Sequence, residues 1–308
     1  MRVLITGAGG FLGRTLAAKL HQQGSKVTAV VRLGRDPELP VGIKLRAVDV
    51  RDRNALTAVV REQSPDAVVH LAALKSIRDS HGNEDDYRAT NVDSTTNLID
   101  ALSTATSPVH VVHASTVSVY GPQQQPNEDA PTDPRNPYAR TKLDAETALE
   151  TAATEGRCHA TVLRFANIAG GFGTVHDPNT SAIIPRVLIS ARNGEAVPVN
   201  GAGDSVRDYI HVQDAADAVM AALATPRTFG RFNVGSGQGA SVSDIITTAE
   251  KVTRRPIAIE RKPAVDEVKH IVPDTTRIRQ ELDWQPQHSA LADIITDAWH
   301  ASGAAQAF

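Results

Sequence analysis

Thr6-Gly7-Ala8-Gly9-Gly10-Phe11-Leu12-Gly13 follows the apolar run Val3-Leu4-Ile5 and opens onto an amphipathic segment, Phe11–Gln23. Gly7, Gly10 and Gly13 form G-x-x-G-x-x-G, a spacing variant of the dinucleotide fingerprint. On this reading Gly7 permits a tight turn and Gly10 lets the backbone approach a pyrophosphate at a helix amino terminus. Gly13 lets that helix pack close to a sheet. Turns collect glycine for many reasons, so the trio gains its weight from standing between a strand and a helix.

Working outward, Val3–Thr6, Lys26–Val31, Lys44–Val48, Ala67–Leu71, His110–His113 and Ala160–Leu163 read as strands, most of them continuously apolar. Strands covered on both faces have that pattern. Helical stretches lie between them at Phe11–Gln23, Arg53–Gln63, Asp85–Leu102 and Pro137–Glu155. The alternation predicts an α/β fold, a Rossmann-type doubly wound parallel sheet built from right-handed crossovers. Asp93 and Asp100 are expected on the solvated side of the third helix. In the second half Gly170–Asn179 reads as a loop. Ser181–Arg192, Asp214–Ala224 (capped by Asp214), Ser241–Val252 (capped by Ser241) and Leu291–His300 read as helices. We therefore expect a dinucleotide-binding domain over 1–165, its sheet completed by parts of 205–235. Residues 166–308 would mainly form a smaller C-terminal substrate-binding lobe.

Composition narrows the function. Of 308 residues 41% are hydrophobic, 22% charged and 4% aromatic, with a formal net charge of −3. That balance offers no basic field for nucleic acid or an anionic membrane surface. No apolar run approaches the roughly 18 residues of a membrane span, and the amino terminus lacks a signal-peptide pattern. The single cysteine, Cys158, forbids an internal disulfide and has no visible activating partner, so a cytoplasmic location is expected. Eleven histidines invite a zinc reading, but none falls in a ligand pattern, and no metal is expected.

Two features carry chemistry. Tyr138 and Lys142 stand at i and i+4 on a helix beginning near Pro137, hence on one face. A lysine ammonium beside a phenol stabilises phenolate, and so Lys142 is expected to depress the Tyr138 pKa. Upstream, Ser115 and Thr116 place hydroxyls at the carboxyl edge of a strand, where open α/β sheets bind ligands; a capping role is the alternative. A dinucleotide domain usually ends its second strand with a ribose-binding acid, but here the chain reads Val30-Val31-Arg32, with Arg35 close behind. Arg32 is then either a solvated loop cation or a guanidinium placed on adenine or a 2′-phosphate, leaving NAD and NADP open.

At this point the sequence resembles the extended short-chain dehydrogenase/reductase family, of the NAD-dependent epimerase/dehydratase type, and within it the UDP-glucose 4-epimerase branch. The resemblance runs almost end to end. It rests on the glycine motif, Asp49-Val50-Arg51-Asp52, His70-Leu71-Ala72-Ala73-Leu74-Lys75, Asn91-Val92 and the stretch Ser115-Thr116-Val117-Ser118-Val119-Tyr120-Gly121. It continues through Tyr138/Lys142, Val206-Arg207-Asp208-Tyr209-Ile210-His211-Val212, Phe232-Asn233-Val234-Gly235 and Leu282-Asp283-Trp284.

The resemblance implies a homodimer built through the third and fourth helical stretches and a UDP-hexose type of nucleotide-sugar substrate. It implies that Gly7, Gly10, Phe11 and Leu12 line the pyrophosphate and that Asp49 and Val50 meet the adenine. Leu71, Ala72, Ala73 and Lys75 would follow the ribose and phosphates, with Asn91 near the cofactor and Phe165 bordering the nicotinamide. Thr116 aligns with the catalytic Ser/Thr, Tyr138 with the base and Lys142 with its cofactor-binding partner. Lys75, Ser115, Thr116, Tyr138, Asn167, Arg207 and Arg261 would meet the substrate; an ion pair with Asp208 is the alternative for Arg207.

Three departures stand out. Val31 replaces the ribose-binding Asp. The phosphate-contacting Arg-Arg-x-Gly-Asp segment appears as Arg261-Lys262-Pro263-Ala264-Val265-Asp266, leaving Arg261 or Lys262 in that role. The stretch closing over the hexose, Glu267-Val268-Lys269-His270, lacks the usual Tyr. The expected activity is a nucleotide-sugar 4-epimerase with tightly bound NAD. The alternatives are an NADP-dependent 4-keto nucleotide-sugar reductase and a non-enzymatic dinucleotide-sensing protein.

Overall fold

The computed structural model describes residues 1–103, 105–265 and 268–304. Asp266 and Glu267, both in the segments compared with the family above, lie outside the described residues. Seven parallel strands form the central sheet. They are β1 (Arg2–Thr6), β2 (Lys26–Val31), β3 (Lys44–Ala47), β4 (Ala67–His70), β5 (His110–Thr116), β6 (His159–Phe165) and, after β7 (Val206–His211), β8 (Phe229–Val234). Their spatial order is β8-β6-β5-β4-β1-β2-β3, so the chain reverses direction across the sheet between β1 and β4. The crevice over the carboxyl ends of these two strands is where open sheets of this kind bind ligands. β5 and β6 run three and two residues further than the sequence pattern suggests, which brings Thr116 and Phe165 into register at that edge.

Helices cover both faces, which is why most of the strands are apolar, the exposed edge strand β3 and the polar positions of β5 excepted. On one face α1 (Phe11–Gln22) packs with α7 (Val212–Ala224), burying Leu16, Ala17, Leu20, Ala215 and Val219. On the other, α2 (Arg53–Gln63), α4 (Ser94–Leu102) and α5 (Pro137–Thr154) bury Leu56, Leu98, Leu102 and Leu149. A third apolar cluster joins α6 (Ile183–Asn193), α8 (Val242–Thr253) and α9 (Leu291–Ala304) in the second lobe. β7 does not enter the main sheet. It pairs instead with Asn167–Ala169, Gly239–Ser241 and His270–Ile271.

Three local expectations need correction. The helix expected over Asp85–Leu102 is interrupted: α3 (Glu84–Arg88) passes into a π-helical turn, Ala89–Asp93, before α4. The buried Asn91 sits in that wide turn and bridges Leu74 (its Oδ1 accepts from Leu74 N at 2.8 Å) to Thr141 Oγ1 at 3.0 Å. Such bulges often mark functional positions. Asp214 does not cap α7; His211 does, accepting from Gln213 N at 3.1 Å. Asp214 is 1% exposed and instead accepts from the Gln287 and His288 amides and the Ser289 hydroxyl, pinning that loop. Asp100 is not left to solvent, since it pairs with Arg53 and Arg157 at 3.1 and 2.6 Å.

Candidate active site

The turn after β1 is fixed by main-chain crowding. Gly7 has φ +68°, and a Cβ there would stand 2.6 Å from the Ala72 amide nitrogen. Leu71 N donates to Thr6 O at 3.1 Å and Ala72 N to Thr6 Oγ1 at 3.3 Å, so the segment Leu71–Ala73 cannot retreat. A Cβ on Gly13 would stand 2.5 Å from Gly7 O. Gly10 begins α1 with no side-chain cap, leaving the first amides of the helix to an anion. Phe11 and Leu12 turn their side chains into the core, so only their amides are available to a pyrophosphate. An uncapped helix start beside main chain that excludes any Cβ fits a dinucleotide.

At the carboxyl end of β2 Val31 is buried, with Cγ1 3.6 Å from where a Cβ on Gly9 would lie. Arg32 is exposed. The Arg51 guanidinium grips the Asp49 carboxylate (2.6 Å), and this hydrogen bonding holds Asp49 below its ordinary pKa, with a smaller contribution from the charge of Arg32. Val50 is buried beside Asp49.

Thr116, at the end of β5, accepts from Ser118 N at 3.2 Å and so caps the short turn Val117–Tyr120; its hydroxyl donates to Ser118 Oγ at 3.2 Å and lies near enough to Tyr138 to draw the phenol's pKa down. The capping role expected as an alternative is therefore present, and it leaves the residue at the carboxyl edge of the sheet. Tyr138 lies in the first turn of α5, started by Pro137 and capped by Asn136, whose Oδ1 accepts from Ala139 N at 2.8 Å. The Tyr87 ring meets it edge-on at 6.5 Å. Phe165 lies in register with Thr116 on the neighbouring strand.

The electrostatics differ from expectation. Burial raises the Tyr138 phenol to about 12; the Thr116 hydroxyl opposes this and Tyr87 adds to it. Lys142 does not depress it here, because its ammonium is turned to His113 Nε2 at 3.1 Å. Burial pulls Lys142 itself down to about 8, against the charge of Glu146. Ser115 also differs. Its hydroxyl donates to the fully buried Glu146 under α5 and is not brought to the cleft. Glu146 is gripped by Arg164 (2.6 Å), 2% exposed, whose guanidinium lies over the Tyr120 ring at 4.7 Å.

The remaining residues line the two lobes. Lys75 is exposed, with its ammonium 3.7 Å from Asp177 of the second lobe. Asn167 donates to Asp208 O at 3.0 Å, and Arg207, half-buried, donates to Val206 O at 2.9 Å. The Asp208 carboxylate accepts from Ser236 and Gly237. Arg261 is exposed and donates to Gly201 O at 3.1 Å, while Lys262 pairs with Glu260. A cavity of about 380 Å³ bordered by Gly170, Asp177, Thr180 and Ile184 lies in the second lobe. Burial raises the Cys158 thiol to about 11, which keeps it protonated. Residue reasoning missed Tyr87, His113 and Asp177. For His113 a signal existed: His113 and Ser115 share one face of β5, across from a helix that carries Lys142 and Glu146.

Known proteins agree with this geometry. A model of the NAD dependent epimerase/dehydratase family matches residues 3–235. The UDP-glucose 4-epimerase of Corynebacterium glutamicum is 33% identical, over 97% of this chain and 95% of its own. That of Streptomyces lividans is 34% identical over the same shares. The solved structure of a UDP-glucose 4-epimerase from Stenotrophomonas maltophila, with bound NAD and formylated UDP-arabinopyranose, superposes with TM-score 0.93 at 30% identity. That match covers 100% of this chain and 99% of the other. The chain belongs to the NAD dependent epimerase/dehydratase family.

Proposed function

We infer that the chain is an NAD-dependent epimerase that inverts C4 of a UDP-hexose through a transient 4-ketone. The observation that carries this is that Thr116 and Tyr138 come together at the carboxyl edge of the same sheet whose first strand ends in the glycine turn. Among the described residues no helix is long and apolar enough to cross a membrane.

Gly7, Gly10 and the Phe11 and Leu12 amides would hold the pyrophosphate. Asp49, Val50 and Arg32 would border the adenosine, and Leu71, Ala72, Ala73, Asn91, Lys142 and Phe165 the remainder. NAD, when bound, supplies the acceptor and then the donor of the C4 hydride. Tyr138 takes the proton of the 4-hydroxyl and later returns it, and Thr116 holds the same oxygen. The phenol near 12 must come down for this, and positive charge gathering at the site, Lys142 included, provides the attraction. Lys75, Asn167, Arg207 and Arg261 would hold the diphosphate and nucleotide. The site would have to let the 4-ketone present its other face, and because the cofactor would give back what it takes, there would be no net redox change. Exposed faces of α3, α4 and α5 are where a second copy would sit.

One observation favours a second reading, an NADP-dependent 4-keto-sugar reductase: the apolar Val31 stands in the ribose-acid position with Arg32 exposed beside it. The test uses protein purified without added cofactor. Mass spectrometry of the released dinucleotide should find NAD. UDP-glucose carrying deuterium at C4 should equilibrate with its epimer and keep the label. Tyr138→Phe should retain the dinucleotide and lose turnover by a factor of about 10²–10⁴. Bound NADP with stoichiometric NADPH consumption would favour the reductase, and a bound cofactor with no turnover of any nucleotide sugar would favour the sensing protein.

A further inference from the structure

His113 lies within β5, 1% exposed, on the face covered by α5. Lys142 presents its ammonium to Nε2 at 3.1 Å, and both groups are buried. Glu146, one turn further along α5, attracts Lys142 by charge, but its carboxylate already holds Arg164, the Ser115 hydroxyl and the guanidinium of Arg231 at 3.3 Å. The hydrogen bond to Lys142 is therefore made by an imidazole and not by the nearby acid.

The other nitrogen settles the ring's form. His113 Nδ1 is buried and finds no partner among the described residues. A neutral ring protonated at Nδ1 offers its Nε2 lone pair to the ammonium. A phenylalanine would fill this position without burying an unpaired donor. The neighbours support the neutral form. His70 is in register on β4 with its ring 5.4 Å away, its Nδ1 is 2.7 Å from Thr6 Oγ1, and its Nε2 is 3.4 Å from Ser94 Oγ. Burial, Lys142 and His70 together hold His113 well below the ordinary histidine pKa.

We propose that His113 is a positioning residue for epimerisation: its neutral imidazole accepts from Lys142, holding the ammonium protonated and fixed one helical turn from Tyr138. The other two ammonium hydrogens stay available to the cofactor and to the developing phenolate. The proposal rests on the epimerase reading for its consequence, though not for its geometry. Without the acceptor, a buried ammonium would lose its proton more readily.

The test compares wild type with His113→Phe and His113→Asn in the cofactor-loaded protein. Lys142 is titrated by ¹³Cε NMR of lysine-labelled protein, its resonance assigned by its loss in Lys142→Met. In His113→Phe the Lys142 titration should move down by about one pH unit, and the alkaline limb of kcat should move with it. At the wild-type midpoint the protonated fraction falls from one half to about one eleventh, so kcat should fall roughly fivefold and KM change less than twofold. His113→Asn, which restores a carbonyl acceptor, should recover most of both. An unmoved Lys142 titration in folded His113→Phe overturns the proposal, and so does an Asn variant that titrates like Phe. The NMR titration reads Lys142 without turnover, whereas failure of the epimerase reading appears separately, as inactive wild type.

Discussion

The glycine turn and the polar interior under α5 lie on the same sheet, yet they are held in shape by opposite means. At the turn two glycines are required by another piece of main chain: Gly7 by Leu71 and Ala72, Gly13 by Gly7 and Ala8. Beneath α5 the shape comes from side chains that must find one another across β4, β5 and β6: His70, His113 and Lys142 on one side, Ser115, Glu146 and Arg164 on the other. The first kind of site is specified by main chain, whatever the neighbouring side chains, and the second by side chains that must pair. A backbone clash has no partner that can be altered to relieve it. A charge pair does.

Paired substitutions should expose this difference. Arg164→Leu leaves the Glu146 carboxylate buried with only Ser115 and the more distant Arg231, and should cost about 3–5 kcal/mol of unfolding free energy. Adding Glu146→Leu should restore most of that loss, because two apolar side chains replace the pair; Arg231 keeps Glu150 at 2.9 Å. Urea unfolding of both singles and the double measures the coupling, and additive losses would break the comparison. Gly7→Ala should cost less, about 2–3 kcal/mol, from the positive φ and the contact with Ala72 N. Ala72→Gly should not relieve it, since the obstructing atoms are main chain. Loss of the copurifying dinucleotide should accompany Gly7→Ala, and rescue by the second substitution would show that the turn yields more than its geometry implies.

What the sequence made legible follows the same division. The turn, the parallel sheet and the Tyr138/Lys142 helix depend on local period and turn chemistry, so Thr6–Gly13 and Pro137–Lys142 could be placed without knowing their neighbours. The helix over Asp85–Leu102 could not be read correctly, because its π-helical turn surrounds Asn91, whose partners Leu74 and Thr141 lie far along the chain. Asp214 looked like a cap for want of knowing that residues 287–289 would come to it. The Tyr138 pKa was misread for the same reason: i, i+4 spacing puts Lys142 on the right face but does not say that His113 engages its ammonium. Alternation along β5 held a usable clue. Two polar residues on one face of a buried strand, opposite a helix with Lys142 and Glu146 at i and i+4, imply a buried polar contact.

The smallest effect tests the polar interior through its histidines. Under α5 burial lowers His70 to about 3, with Lys142 adding to the shift, and holds His113 well below 6.5; on the opposite face of β5 it lowers His110 to about 4, with His159 adding. In each case the folded pKa lies below the unfolded one, so between the two values the unfolded chain binds more protons. Stability is therefore complete above about pH 6.5 and is lost as pH falls toward the folded values, at about 1 kcal/mol per ring by pH 5.5. Asp49 and Asp66, held low by Arg51 and Arg2, lose their contribution only below the carboxylate range, so they do not contribute in this window. Glu128 and Asp208, raised by burial, act in the opposite direction, gaining protons in the folded state as pH falls. Calorimetric melting should thus show Tm falling from pH 6.5 to 5.5, with a shallower slope in His70→Asn and an unchanged slope in Gly7→Ala. A Tm that is flat over this interval would mean that the rings are not held neutral. The lowered pKa values would then not describe the interior under α5, and the contrast with the glycine turn would have to rest on the charge pair alone.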